Sequence, residues 1–167
     1  MQNIPQTRIE VNLNALSHNY TYFQSIVPLG TKFVTVVKAN AYGSDLVGVA
    51  KHFQDLGAAY LAVVFTREGV ALREAGINMP ILVFEALVGD IETLVKYQLE
   101  PALYSSKMFK AFADYVKTQD IQDYPIHLKF NTGLNRLGFS AHQASALAKE
   151  VKENSSLKLE SLYKHLI

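Results

Sequence analysis

Two lysines stand in sequence settings where the side chain could do chemistry. The first closes a β-branched run and is followed by small residues and a tyrosine, in Val36-Val37-Lys38-Ala39-Asn40-Ala41-Tyr42-Gly43. A lysine withdrawn from water at such a point holds its proton less tightly, and the neutral amine can attack an aldehyde to form a Schiff base. Pyridoxal phosphate is the common aldehyde of that kind in amino-acid chemistry. The plain alternative is a lysine that snorkels from a strand end into water. Tyr42 carries the same pair of readings, a buried phenol that needs a partner or a hydroxyl turned toward a phosphate oxygen. The second lysine opens Lys129-Phe130-Asn131-Thr132-Gly133-Leu134-Asn135-Arg136-Leu137-Gly138-Phe139. Lys129 alternates with His127 on one face of an apolar strand, and Arg136 brings a planar fork of donors suited to a carboxylate or phenolate. Gly133 and Gly138 predict a tightly turned loop of fixed shape, with a polar turn of solvated charges as the alternative.

Such side chains need a scaffold, and the runs that would build one recur along the chain. Strands are predicted at Lys32 to Lys38, Tyr60 to Phe65, Ile81 to Phe84, Pro101 to Tyr104, Ile126 to Phe130 and Leu159 to Tyr163. Three of these runs are continuously apolar, as parallel strands buried on both faces must be. Helices are predicted between them, at Asn14 to Ile26, Leu46 to Leu56, Arg67 to Ala75, Asp90 to Lys96, Ser106 to Lys117 and Ala141 to Lys152. Thr66 and Ser105 read as N-caps, Ser140 with Gln143 as a capping box, and Gly57 and Gly76 as left-handed helix ends. The class is α/β, and periodicity alone leaves open a (β/α)8 barrel or a doubly wound sheet. No Gly-x-Gly-x-x-Gly or Walker pattern follows the first strand, which disfavours an open nucleotide-binding sheet. Six repeats in 167 residues fit most of a barrel of ~250 residues. Arg8 to Leu13 departs from this rhythm, alternating polar and apolar like a strand with one buried face.

Composition narrows the partners. Sixteen Lys plus Arg against fifteen Asp plus Glu leave a net charge of +1, too weak a field to gather nucleic acid or an acidic membrane surface, so a small molecule is the expected partner. A hydrophobic content of 49% excludes a disordered chain. With no cysteine, disulfides, thiolate metal ligands and a cysteine nucleophile are excluded. His18, His52, His127 and His142 lack metal-ligand spacing, so no metal is expected. The polar opening Met1 to Pro5 and the charge that halts the apolar run at Arg67 predict neither a signal peptide nor a membrane span, and a cytoplasmic protein is expected.

Four segments together resemble the alanine racemases, fold-type III enzymes that use pyridoxal 5'-phosphate. Lys38 to Gly43 is similar to the family's cofactor-lysine signature, and Lys129 to Phe139 to its lysine-x-Asp/Asn-Thr-Gly loop ending in Arg-Leu-Gly-Phe. Arg8 to Tyr20 resembles the family's opening, and Leu162 to Leu166 its next strand and histidine. One departure is plain, since Ser44-Asp45 stands where the family usually has His-Gly.

The resemblance implies a partial barrel of about six βα units over residues 14–167, preceded by a strand segment, residues 1–13, that pairs with a C-terminal β domain outside this chain. It implies interconversion of L-alanine and D-alanine, supplying D-alanine for peptidoglycan in the cell wall. Lys38 would hold the cofactor and exchange the substrate Cα proton, and Tyr42 would reach the cofactor phosphate. Arg136 would bind the cofactor's phenolic oxygen and orient the substrate carboxylate, with Lys129, a carbamate in many members, holding Arg136 in place. His165 would lie beside the pyridine ring. The second base would be a tyrosine from the β domain of the partner subunit, so a homodimer is expected and the chain alone is expected to be inactive. A single-domain pyridoxal phosphate carrier of the same barrel type, serving cofactor homeostasis without racemisation, is the alternative.

Overall fold

Apolar runs that are continuous rather than alternating can be hidden only in a sheet covered on both faces, and parallel pairing under crossover helices provides that cover. The structure is a computed structural model that describes residues 7–166. Its strands are β1 (Val34–Val36), β2 (Tyr60–Val63), β3 (Ile81–Val83), β4 (Glu100–Leu103), β5 (Tyr124–Phe130) and β6 (Leu157–Lys164). Every neighbouring pair is parallel, and the spatial order β1-β2-β3-β4-β5-β6 is the order in sequence. A doubly wound sheet would reverse direction at a switch point. Unbroken order is that of barrel staves, so the sheet is a half-barrel and the choice left open by periodicity is resolved.

The helices are α1 (Leu13–Ile26), α2 (Lys38–Gly43), α3 (Leu46–Asp55), α4 (Thr66–Glu74), α5 (Ile91–Lys96), α6 (Ser106–Thr118) and α7 (Ala144–Lys152). Strand residues alternate between two cores. Leu61, Val63, Ile81, Val83, Leu103 and Ile126 face outward and are buried with helix residues such as Leu72, Leu94 and Phe112. Ala62, Leu82 and Ala102 face inward with Val36, Phe84 and Tyr163. The inner face also carries a polar tier across four strands. Tyr60 donates to Glu100 (3.1 Å), His127 Nε2 meets the same Glu100 oxygen (2.9 Å), and His127 Nδ1 meets Ser161 (2.7 Å).

Several local expectations shift. Residues 8–12 form no ladder, and Leu13 opens α1 with Asn12 as its cap, so the alternating segment pairs with no strand among the described residues. Residues 1–6, part of the predicted N-terminal segment, lie outside the described residues. Thr66 is the first helical residue of α4, not its cap. Phe65 takes the cap position, and the Thr66 hydroxyl donates to Asp90 (2.8 Å). β5 begins at Tyr124, earlier than expected, because Pro125 does not interrupt it. The β4 ladder reaches β5 only at His127, so no partner there requires the N–H that proline lacks. Ser105 does cap α6, accepting from Met108 N (3.2 Å), and Gly57 and Gly76 do take positive φ.

Candidate active site

The lysine that follows β1 lies on an unusual turn. α2 winds left-handed: Ala39 (φ 53°, ψ 51°), Asn40 (φ 56°, ψ 46°), Ala41 (φ 50°, ψ 50°) and Tyr42 (φ 58°, ψ 36°) all occupy a region that costs L-residues roughly 1–2 kcal/mol each. Three small or polar residues in a row make the conformation reachable, and Gly43 at φ 86° closes it. Val37, fully buried, anchors the start by donating to Ala62 O (2.9 Å) and accepting from Ala41 N (2.8 Å). Asn40 Oδ1 accepts from Leu46 N (2.9 Å), and Asp45, from the atypical Ser44-Asp45 pair, caps α3 by accepting from Val47 N (3.2 Å). The turn holds Lys38 half-buried, with its Nζ 5.9 Å from the centre of the Tyr42 ring. Tyr42 itself is exposed, which removes the buried-phenol reading for that residue.

Lys129 is buried near the C-terminal end of β5, and the loop after it is shaped by its own side chains. Asn131 Oδ1 accepts from Gly133 N (3.2 Å) and Asn135 N (3.0 Å), while Asn131 Nδ2 donates to Asn135 Oδ1 (2.8 Å). Phe139 N returns to Lys129 O (2.8 Å), and Asn131 N donates to Phe139 O (2.8 Å). Gly138 permits this closure: a Cβ there would stand 2.6 Å from Asn131 N. Arg136 projects from the loop as an exposed residue. Thr132 donates to His165 O (3.1 Å), tying the loop to the end of β6, and the His165 side chain is exposed.

Electrostatics link these residues. Burial pushes the Lys129 ammonium below the ordinary lysine value, the Arg136 charge pushes it further, Glu85 opposes this, and Lys38 adds to the lowering. Register sets Lys129 opposite Tyr163 on β6, and its Nζ lies 5.7 Å from that ring's centre. The Tyr163 hydroxyl is buried with no hydrogen-bond partner, and burial, reinforced by Glu85, raises its pKa. An orphaned buried phenol beside Lys129 and within the field of Arg136 is a receptive setting for an anionic aromatic aldehyde such as pyridoxal phosphate. These residues therefore fit the cofactor that the resemblance implies. Inward from them, an apolar cavity of about 430 Å³ runs along Val36, Leu82, Phe84 and Tyr163 to the polar tier.

The residues predicted for the site, Lys38, Tyr42, Lys129, Arg136 and His165, all stand at or after strand ends on one side of the sheet. Sequence reasoning missed Tyr163, whose place appears only once β5 and β6 are in register, and Glu85, which follows β3. Among the described residues no group of three or more His, Asp or Glu is arranged to hold a metal, and no helix is long and apolar enough to cross a membrane.

Residues 11–167 match the family model described as alanine racemase, N-terminal domain. The alanine racemase of Nostoc sp. is 36% identical over 161 residues, which are 95% of this chain and 42% of that protein. That of Synechocystis sp. is 38% identical over 160 residues, 95% and 43% of the two. Among solved structures, an alanine racemase of Clostridium difficile 630 in complex with cycloserine superposes with a TM-score of 0.87 at 28% identity, over 94% of this chain and 43% of that one. One from Bacillus anthracis with bound L-Ala-P gives 0.79 at 30% identity, over 93% and 40%. The chain spans less than half the length of each.

Proposed function

The chain belongs to the alanine racemase family, and from that membership we propose that it forms the cofactor-binding half of an enzyme that interconverts L-alanine and D-alanine, bringing D-alanine to cell-wall synthesis in the cytoplasm. The observation that carries this reading is the convergence of Lys38, buried Lys129 and Arg136 at one end of a parallel half-barrel, beside an unpartnered phenol. Barrel chemistry is built at the C-terminal ends of strands, where these residues stand. When bound, pyridoxal phosphate supplies an electron sink that acidifies the Cα–H of an attached amino acid.

This chain's residues do the rest. Lys38 would hold the cofactor through its amine, and that amine is placed to take and return a proton at the substrate Cα from one face. Arg136 would hold the cofactor's phenolic oxygen and orient the substrate carboxylate with its fork of donors. The like charge of Arg136 acts on Lys129, and carbamylation of Lys129 would convert that repulsion into attraction. Tyr42 would hold the cofactor's phosphate through its hydroxyl, and His165 would lie beside its ring. The opposite face of Cα receives a tyrosine from the partner subunit of a homodimer, so residues 1–167 alone exchange no α-proton at a measurable rate.

Borohydride reduction of the full chain with pyridoxal phosphate, followed by peptide mapping, tests the attachment. The label is expected on Lys38, and recovery on Lys129 would move the site. Deuterium exchange at the α-carbon of alanine in heavy water tests the reaction. A chain that binds the cofactor but exchanges no α-proton as a full-length dimer would be a carrier.

A further inference from the structure

The left-handed turn after Lys38 is gripped by a side chain from another βα unit. Glu68, in the first turn of α4, directs one carboxylate oxygen to Ala39 N at 2.7 Å. The other accepts from Val64 N (2.9 Å) and Phe65 N (3.0 Å). Among the described residues no lysine, arginine or histidine pairs with this carboxylate. Its charge is satisfied by backbone N–H groups from two strand ends. The bond to Phe65 N is one arm of a capping box whose other arm is missing, since the phenylalanine side chain offers no acceptor. Capping α4 therefore accounts for only one of the two oxygens.

The second oxygen acts on the lysine. The Ala39 N–H belongs to the peptide unit directly after the Lys38 Cα, so its bond to Glu68 sets the orientation of that peptide plane and with it the direction in which the lysine stem leaves the backbone. Val37 holds the other side of the same residue. Left-handed backbone in four successive L-residues persists only where the surroundings over-determine it, and a charge-assisted bond between the first of them and a neighbouring unit is such a constraint.

We propose that Glu68 is a positioning residue that fixes the backbone of Lys38 so that its amine meets the cofactor aldehyde. This rests on the reading of Lys38 as the cofactor lysine. It also means that the first two βα units act as one device, with α4 of the second unit aiming the lysine of the first.

Glu68→Gln separates the two roles. A glutamine retains one carbonyl oxygen, enough to cap α4, but its NH2 would then face the Ala39 N–H, donor against donor. In the full chain, Glu68→Gln is expected to melt close to the parent. The pyridoxal phosphate concentration needed for half-maximal borohydride trapping on Lys38 should rise about tenfold, the effect of losing one charge-assisted hydrogen bond. Thr66→Ala serves as the control, weakening the same helix start through the Thr66–Asp90 bond without touching Ala39, and its trapping should match the parent. Equal trapping by Glu68→Gln and parent overturns the proposal, as does an equal loss in Thr66→Ala. If Glu68→Gln fails to fold, amide exchange in the parent decides: a protected Ala39 N–H supports the grip and rapid exchange overturns it. A parent chain that does not trap the cofactor on Lys38 overturns the reading beneath, and this proposal with it.

Discussion

Lys129 is a cation held in an apolar setting beside a second cation, and its protonation is a folding variable. Its folded pKa lies below the ordinary lysine value of ~10.4. The unfolded chain therefore binds more protons in the window between the two values, and stability rises with pH there and is lost as pH falls through the folded value. Tyr60, Tyr124 and Tyr163 act in the opposite sense. Burial raises their pKa values first of all, so their contribution is complete below ~10 and declines above it. Lys129→Met is expected to remove the alkaline rise and leave the decline above ~10, read from urea midpoints across that range. A midpoint rise as steep in the variant as in the parent would show that another group carries it. Type and spacing single out Lys38, Lys129 and Arg136 as candidates, and the resemblance, not their spacing, gives them roles. Tyr163 was not legible, because its value lies in what it faces across a ladder.

At the scale of elements, the loop from Asn131 to Phe139 carries Arg136, and its closure depends on one position without a side chain. Gly138 holds φ at 130° with the Asn131 and Phe130 backbone pressed against it. Gly138→Ala is expected to cost about 1–3 kcal/mol in urea unfolding, through strained backbone and forced displacement of the loop. It should also weaken pyridoxal phosphate binding more than its stability loss explains. The strands were legible because Phe33 to Val37, Leu61 to Phe65 and Ile81 to Phe84 are continuous apolar runs between glycine-marked helix ends. The left-handed α2 was not, because Ala-Asn-Ala-Tyr carries no glycine to signal positive φ. Its conformation is imposed from outside by Val37, Leu46 and Glu68. The Thr66 cap was misplaced for a related reason: the chain enters α4 at Phe65, and Glu68 compensates for a cap residue with no acceptor.

At the scale of the whole molecule, β1 and β6 leave their outer edges unpaired among the described residues, and Leu162 on β6 is 61% exposed. Exposed parallel edges with apolar side chains are templates for association. Residues 1–167 on their own are expected to self-associate at micromolar concentration, seen as a concentration-dependent sedimentation coefficient. Leu162→Lys should shift that equilibrium toward monomer by about tenfold, and an unchanged profile would mean that association runs through another face.

The tier formed by Tyr60, Glu100, His127 and Ser161 bears on how the chain finds this arrangement. Hydrophobic strands of similar composition can slide against one another at little cost, since one valine or leucine replaces another. A buried carboxylate cannot. Glu100 finds its tyrosine and imidazole only when β2, β4 and β5 stand at their proper heights, and the imidazole finds its hydroxyl only when β6 joins at the right rung. Four otherwise interchangeable staves are thus given an internal key, and a misaligned assembly carries an unanswered charge that drives it back toward the unfolded ensemble.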